Sequence, residues 1–386
     1  MLFRSKKKYA VDQIKPGTRF TADVYSDGTN LFVPADTPVR AKDLEGLRQW
    51  GVPFVYSDGN METAVEKPVD AAEHSPGKKG LATFQDRKLY EAYTDMIGRL
   101  KAVMDHISTS EKVEPKLVDK LSQDVLQLVR EKEALAIAAV LSLDIKGYDL
   151  ARAGINCAIL SVVVGQTMKM PAHRLGHLAT GAMLHDVGML RIPPEIAKKK
   201  GSLTPEEAQK IRAHPLLSYK VITKELQYPD DIGLIGLQHH ERWDGAGYPR
   251  RSTSQDIDVL ARIVSVADAF EAMVSQKPYR SSMIGYAAIK SLLSDNSRRF
   301  DADVLKAFVK SMGIYPIGSI VVLNNAAIAR VVDIHPDAPL RPRIKLIVDE
   351  FGKHFTDDSG ETLDLLAEKA LFIARAVDPR ELASGQ

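Results

Sequence analysis

The chain has 386 residues, 45% of them apolar, which is enough to bury a full core in two or three domains. Its 52 Lys and Arg nearly balance its 50 Asp and Glu. This balance argues against duplex nucleic acid or an anionic membrane as a partner and leaves a small anionic ligand open. The single cysteine, Cys157, cannot form an internal disulfide, as is usual in a reducing compartment, so we expect a cytoplasmic protein.

Neither an export signal nor a membrane span is predicted. The basic start at Arg4 and residues 6–8 leads into Val11-Asp12-Gln13 rather than into an apolar segment. Apolar stretches such as residues 134–143 reach about half of the roughly 20 residues that are needed to cross a bilayer.

Residues 1–60 are predicted to form a small mixed α/β module. Residues 61–80 are rich in Glu, Lys, Pro, Ala and Gly, which indicates a flexible linker. The module's patterns predict strands at residues 20–25, 31–33 and 52–56 and a short helix at residues 41–50, ended by Gly51.

Residues 81–140 are predicted to be a helical connector. Leu117, Leu121, Val125 and Leu128 recur at helical spacing, which indicates an amphipathic helix. The stripe favours an intramolecular core, because it does not continue through three or four heptads. A homodimer formed through this stripe is the alternative.

Residues 141–315 are predicted to be almost entirely helical, with proline-bearing loops between the helices. Residues 316–386 are predicted to form a small β appendage that ends in a helix. The fold class is therefore mainly α, with a helical domain between a mixed α/β module and a β appendage. The appendage strands are predicted at residues 319–323, 328–334 and 343–348.

Histidines are concentrated in the helical domain, where six of the ten lie between residues 173 and 240. Any one of them alone is better explained as a structural histidine, but His185-Asp186, His214 and His239-His240 together have the composition of a metal-ligand set. Neighbouring helix positions point about 100° apart, so adjacent His185 and Asp186 suit two ions with the carboxylate between them.

Asp268 follows the apolar run of residues 262–267, where an unpaired acid would be costly to bury. Coordination of a metal ion would stabilise this carboxylate, and a salt bridge to Arg262 or Arg280 is the alternative. Imidazole and carboxylate ligands together favour iron, manganese or zinc over calcium or magnesium.

The order of these motifs resembles that of HD-GYP domains. The resemblance implies an α-helical HD fold that binds two metal ions, with a third not excluded. It also implies hydrolysis of cyclic di-GMP to pGpG or GMP through a metal-bridged hydroxide. The motifs are His185-Asp186-Val187-Gly188, residues 192–196, His214-Pro215, His239-His240-Glu241, residues 244–249 and residues 277–280.

Carried over by position, the resemblance assigns roles to individual residues. Two ions can lower the pKa of a bridging water towards about 7 and neutralise the attacking and leaving oxygens. His185, Asp186 and Asp268 would hold one ion, with Asp186 as the bridging catalytic carboxylate, and His214, His239 and His240 would hold the other.

Two further groups of residues match the family. Lys277 and Arg280 correspond to phosphate contacts, although either could be an ordinary surface cation. Gly245, Gly247, Tyr248 and Pro249 form a loop that we interpret as structural, or as a surface for a protein partner, before we interpret it as catalytic.

The sequence departs from the family at two important positions. Ala153 stands where the family supplies a histidine to the first ion, and Met189 stands where it commonly has a lysine. Asp149, one helical turn before Ala153, is a candidate replacement ligand, and an ordinary acid at a helix start is the alternative.

Three functions are compatible with these motifs and departures. The first is a cyclic di-GMP phosphodiesterase, with activity reduced by the departures. The second is a degenerate member that binds cyclic di-GMP or a protein and signals without turnover. The third is an HD-type phosphohydrolase acting on another nucleotide, against which the intact Gly247-Tyr248-Pro249 argues.

Overall fold

The chain divides after Gly77 into two units, residues 1–77 and 78–386, in a computed structural model. In the first unit the structure describes residues 7–15, 18–25, 31–33, 52–62 and positions 35, 37, 39, 44 and 47. In the second unit it describes residues 87–109, 111–141, 149–199, 201–275, 283–294, 298–355 and 359–378.

The first unit is a small mixed module, as predicted. Phe20, Val24 and Val55 form its core together with Leu44 and Leu47, which are both helical. Strands β1, β5, β3 and β4 form one antiparallel sheet in that order, and β2 pairs with β6. The strands are β1 Lys7–Ala10, β2 Arg19–Phe20, β3 Val24–Tyr25, β4 Leu31–Val33, β5 Phe54–Ser57 and β6 Met61–Glu62.

Helices build most of the second unit around one large apolar core. Short 3-10 turns at Val187–Arg191 and Ser254–Asp256 and a π turn at Val221–Glu225 join some of them. The helices are α1 Arg87–Ser108, α2 Pro115–Leu141, α3 Leu150–Thr167, α4 Ala172–Leu184, α5 Pro194–Ala197, α6 Pro205–Ile211, α7 His214–Lys220, α8 Asp230–Gln238, α9 Val259–Val274, α10 Gly285–Ser294 and α11 Ala302–Met312.

Helix α2 is amphipathic, as predicted, but its buried face differs from the predicted stripe at Leu117. Val118, Leu121, Val125 and Val129 are buried, whereas Leu117 is 50% exposed. The predicted stripe therefore included a surface leucine, because the core lies on the side of Val118 and not on that of Leu117.

Helix α3 lies in the middle of the core. By length and composition alone it could cross a membrane, which corrects the expectation that no apolar stretch approaches that length. However, 83% of that stretch is buried inside the protein, as in a core helix.

Two close approaches bring α4 to its neighbours. A side chain at Gly181 would meet Ile235 Cδ1 at 2.2 Å, so α4 and α8 touch where glycine leaves room. At Gly188 a Cβ would meet the carbonyl oxygen of His214 at 2.2 Å, and Gly188 N–H donates to Ser218 Oγ at 2.9 Å. These contacts fix the end of α4 beside the end of α8 and the start of α7.

The β appendage is a five-stranded antiparallel sheet in the order β10-β9-β8-β7-β11. The three predicted strands are confirmed. The predicted terminal helix is wrong for the residues up to 378, because the chain there forms two further strands that complete the sheet. Residues 379–386 lie outside the described part. The strands are β7 Ile320–Leu323, β8 Ile328–Asp333, β9 Arg343–Val348, β10 Thr362–Asp364 and β11 Ile373–Val377.

The Gly181 contact makes a testable prediction within α4. Gly181→Ala should lower the free energy of unfolding by about 1–3 kcal/mol, because the added methyl group displaces Ile235. Gly176→Ala, in the same helix, meets no atom within 4 Å and should raise it by about 0.5–1 kcal/mol. Urea denaturation measures both, and equal effects would contradict the close approach.

Candidate metal centre

Three helix ends meet at one point of the second unit. His185 directly follows α4, His239 directly follows α8, and His214 is the first residue of α7. Asp186 comes next to His185, and Asp268 lies inside α9. The structure therefore brings together residues that are 83 positions apart in the sequence, from His185 to Asp268.

The three histidine rings are oriented by the backbone. The Nδ1 atoms of His185, His214 and His239 lie 2.7, 2.8 and 2.9 Å from the carbonyl oxygens of Ala182, Ile211 and Gly236. A carbonyl oxygen can only accept, so each Nδ1 carries the proton. In the neutral rings each Nε2 then presents a lone pair, which is the arrangement that metal-binding histidines require.

Asp186 lies among those lone pairs. Its Oδ1 is 3.1 Å from His214 Nε2 and 3.5 Å from His239 Nε2, and the two nitrogens are 3.2 Å apart. Three electron-rich atoms this close repel one another unless a cation lies among them. Ligand atoms about 2.1 Å from one ion stand about 3.0–3.4 Å apart in octahedral or tetrahedral coordination. The spacing fits a divalent ion.

His240 completes this group. Potential ligand atoms of Asp186, His214, His239 and His240 all lie within 4.8 Å of one another. Burial and the neighbouring His239 lower the pKa of His240 to about 2, so its ring is neutral and keeps a lone pair.

A second group shares Asp186. His185 Nε2 lies 3.6 Å from Asp186 Oδ2 and 3.6 Å from Asp268 Oδ1. Burial lowers the pKa of His185, but the two carboxylates outweigh it and raise the pKa to about 9. Burial raises the pKa of Asp268, but the neighbouring His185 outweighs burial and lowers the pKa to about 2. The carboxylates thus favour a cation at this nitrogen.

Two buried atoms of the site need a partner. His185 Nε2 and Asp186 Oδ1 are fully buried and have no hydrogen bond of acceptable geometry to another described residue. Such atoms are costly unless coordinated, so the residues fit bound metal. The Asp186 and Asp268 side chains keep 20% and 23% of their surface exposed, so the centre opens to solvent on the carboxylate side.

The Gly-Tyr-Pro loop lies against the histidines. The Tyr248 ring is 4.8 Å from the His240 ring and 6.4 Å from the His214 ring. A side chain at Gly247 would meet the backbone of residues 240–242 at 2.6 Å or less, so glycine is required for this path. The loop predicted as a structural or interaction element is therefore part of the wall of the site.

Other predicted residues lie elsewhere. Asp149 caps α3 by accepting from Ala151 N–H at 2.9 Å, and it lies 3.6 Å from Lys101 Nζ. Those are the contacts of an acid at a helix start. The alternative partner for Asp268, Arg262, pairs with Asp301 at 2.6 Å. Lys277 and Arg280 lie outside the described residues.

Sequence reasoning assigned no role to three residues that shape the site. Glu241 is buried and accepts from Arg250 N–H at 2.6 Å, which holds the Gly-Tyr-Pro loop. Ser218 binds Gly188, and the Arg212 guanidinium lies 5.5 Å from the centre of the Tyr248 ring. Its position next to His239-His240 is a sequence signal that could have identified Glu241. Ser218 and Arg212 can be recognised only from their tertiary contacts.

Two family models match the chain. The model described as HD domain matches residues 116–304, and the model described as KOW domain associated with HD domain matches residues 320–385. Together they cover the helical domain and the β appendage. The HD match begins inside α2, earlier than the boundary predicted at residue 141.

The chain is also similar to curated and solved proteins. It is 36% identical over 194 residues to the cyclic di-GMP phosphodiesterase PdeB of Borreliella burgdorferi, covering 50% of this chain and 51% of that one. It is 31% identical over 230 residues to the cyclic di-GMP phosphodiesterase PA4108 of Pseudomonas aeruginosa, covering 60% and 54%. The solved structure of Bd1817, an HDGYP protein from Bdellovibrio bacteriovorus, aligns with a TM-score of 0.48 and 15% identity over 79% of this chain and 98% of that one.

The chain thus spans about half the length of the curated relatives it matches. The similarity includes the segment in which the His-Asp pair, the paired histidines and the Gly-Tyr-Pro loop follow one another. The chain therefore contains an HD domain, and the order of its motifs resembles that of HD-GYP domains.

Proposed function

We propose that this chain hydrolyses cyclic di-GMP to pGpG or GMP at a centre of two divalent ions. The observation that carries the proposal is the meeting of Asp186 Oδ1 with the Nε2 atoms of His214 and His239 at 3.1 and 3.5 Å. The names of the curated relatives support cyclic di-GMP as the substrate.

The proposed centre has two ligand sets that share one carboxylate. Bound there, the ions would lower the pKa of a water between them and neutralise the attacking and leaving oxygens of the phosphodiester. Iron or manganese suits the mixed ligands best, and zinc also fits. His185, Asp186 and Asp268 hold one ion, and His214, His239 and His240 hold the other.

The chain itself contributes orientation and access. Backbone carbonyls hold the rings of His185, His214 and His239, so little reorganisation is needed when the centre forms. Cys157 is fully buried, and burial raises the pKa of its thiol well above the usual value, so it does not serve as a nucleophile.

Binding without turnover is a second function, and one observation favours it. The first ion has three protein ligands in this proposal, since Ala153 supplies none. Cys157, one turn further along α3, lies 4.0 Å from the Val264 carbonyl of α9, the helix that carries Asp268. This face of α3 therefore packs beside the first ion's ligands. A protein partner at the Gly-Tyr-Pro loop and a homodimer stay predictions from the sequence.

Removing the shared carboxylate tests the main function. Asp186→Ala should lose most of its bound metal and all measurable cleavage, because both ions lose a ligand. The assay is anaerobic purification, metal analysis, and chromatography after separate incubation with cyclic di-GMP, 3'3'-cGAMP and cyclic di-AMP. Cleavage of cyclic di-GMP should be the fastest.

Asp149→Ala is the matched control. It should keep its metal and lower the free energy of unfolding by about 1 kcal/mol, as expected for loss of a helix cap. Unchanged metal in Asp186→Ala would refute the two-ion centre. Selective loss of one ion in Asp149→Ala would make Asp149 a ligand.

Restoring the missing histidine tests the second function. Ala153→His should raise the metal content retained after gel filtration towards two ions per chain and increase kcat, because it completes the first ligand set. Ala153→Leu adds similar volume without a ligand nitrogen and should do neither. Equal metal content in the two variants would show that position 153 does not face the ion.

A further inference from the structure

We propose that Arg212 binds a phosphate of the nucleotide substrate, with Tyr248 holding its guanidinium in place. The inference rests on the proposed function, and it deepens that function by naming a residue that positions the substrate. Arg212 would supply a positive charge that position 189 lacks. The half-buried Met189 is uncharged and stands where the family commonly has a lysine.

Arg212 belongs to the same turn as a metal-site histidine. It ends α6, and His214 follows two residues later as the first residue of α7. Because His214 Nδ1 donates to the Ile211 carbonyl at 2.8 Å, the backbone on both sides of Arg212 is tied to the centre. Arg212 therefore belongs to the backbone segment that also positions His214.

Its side chain lies beside an aromatic ring that in turn lies beside His240. The guanidinium carbon lies 5.5 Å from the centre of the Tyr248 ring, and that ring lies 4.8 Å from the His240 ring at an angle of 33°. An aromatic ring stabilises a guanidinium without using the N–H donors at its edge. Those donors stay available to an anionic ligand.

No carboxylate satisfies this cation within the part of the chain that the structure describes. Other arginines there do have acidic partners: Arg191 pairs with Glu225, Arg242 with Asp244 and Arg262 with Asp301. Arg212 is exposed, and its described contact is with Tyr248. An unpaired guanidinium at the edge of a site is suited to a ligand's charge.

The chemistry of the ligand follows from the guanidinium. Its planar fork matches two oxygens of a phosphate, and such charge-assisted pairs are stronger than neutral hydrogen bonds. A cyclic dinucleotide carries two phosphates, so one can lie at the metal centre while the other meets a cation outside it. Arg212 is then a positioning residue that acts on substrate binding more than on the chemical step.

The test compares Arg212→Met with Arg212→Lys and with Lys220→Met, which removes an exposed cation from the far end of α7. Metal-loaded full-length proteins are titrated calorimetrically with GMP and with guanosine, and KM and kcat are measured for cyclic di-GMP. Metal content is determined for each protein.

Arg212→Met should raise the Kd for GMP and the KM for cyclic di-GMP by about tenfold to a hundredfold, the loss expected for a charge-assisted hydrogen bond. Metal content and guanosine binding should not change, Arg212→Lys should recover part of the affinity, and Lys220→Met should behave as the unmodified protein.

The outcomes separate this inference from the proposed function. Cleavage of cyclic di-GMP with the same KM in Arg212→Met overturns the inference and leaves the function standing. Arg212-dependent GMP binding without cleavage supports the phosphate site and overturns the function. If neither GMP nor cyclic di-GMP binds the metal-loaded protein, both are overturned.

Discussion

One carboxylate, Asp186, sets the conditions that the rest of the site must meet. It lies among the imidazoles of His185, His214 and His239. Burial raises its pKa, but the neighbouring histidines, His185 above all, outweigh burial and keep the pKa well below the usual range. A carboxylate in such a place is stable only when paired, so three helix termini have to meet at one point. The glycines at 181 and 188 make that convergence sterically feasible, because each permits a contact that a Cβ would block.

The candidate ligands that the structure brings together could be identified because ligand chemistry is visible in a sequence. Adjacent His185-Asp186 and His239-His240 interrupt apolar helical runs, and a buried acid or imidazole in such a place needs a partner. The strands of the appendage were predictable for a related reason: β-branched residues are frequent in them, as in Ile328–Asp333. In both cases the prediction uses neighbouring residues or a pattern that repeats along the helix or strand.

Features that depend on tertiary contacts were not predictable. Leu117 fits the helical stripe as well as Val118 does, and only the position of the core decides between them. Asp149 has the spacing of a ligand, yet its carboxylate is used by Ala151 N–H at the start of α3. Residues 362–377 have helix-forming composition but complete a sheet, since tertiary pairing overrides local propensity. Arg212 has no motif at all and is recognised through its approach to Tyr248.

The helix α1, predicted as part of a connector, belongs physically to the domain that carries the site. Tyr93 donates to Asn156 of α3 at 2.5 Å, and Asn156 donates to Glu271 of α9 at 3.1 Å, all three being buried. Glu271 lies three residues after Asp268, so this polar chain fixes the part of α9 that carries Asp268. His214 and His239 lie at the start of α7 and directly after α8. Asp268 is therefore anchored through α1 and α3, whereas the two histidines are positioned by the ends of α7 and α8.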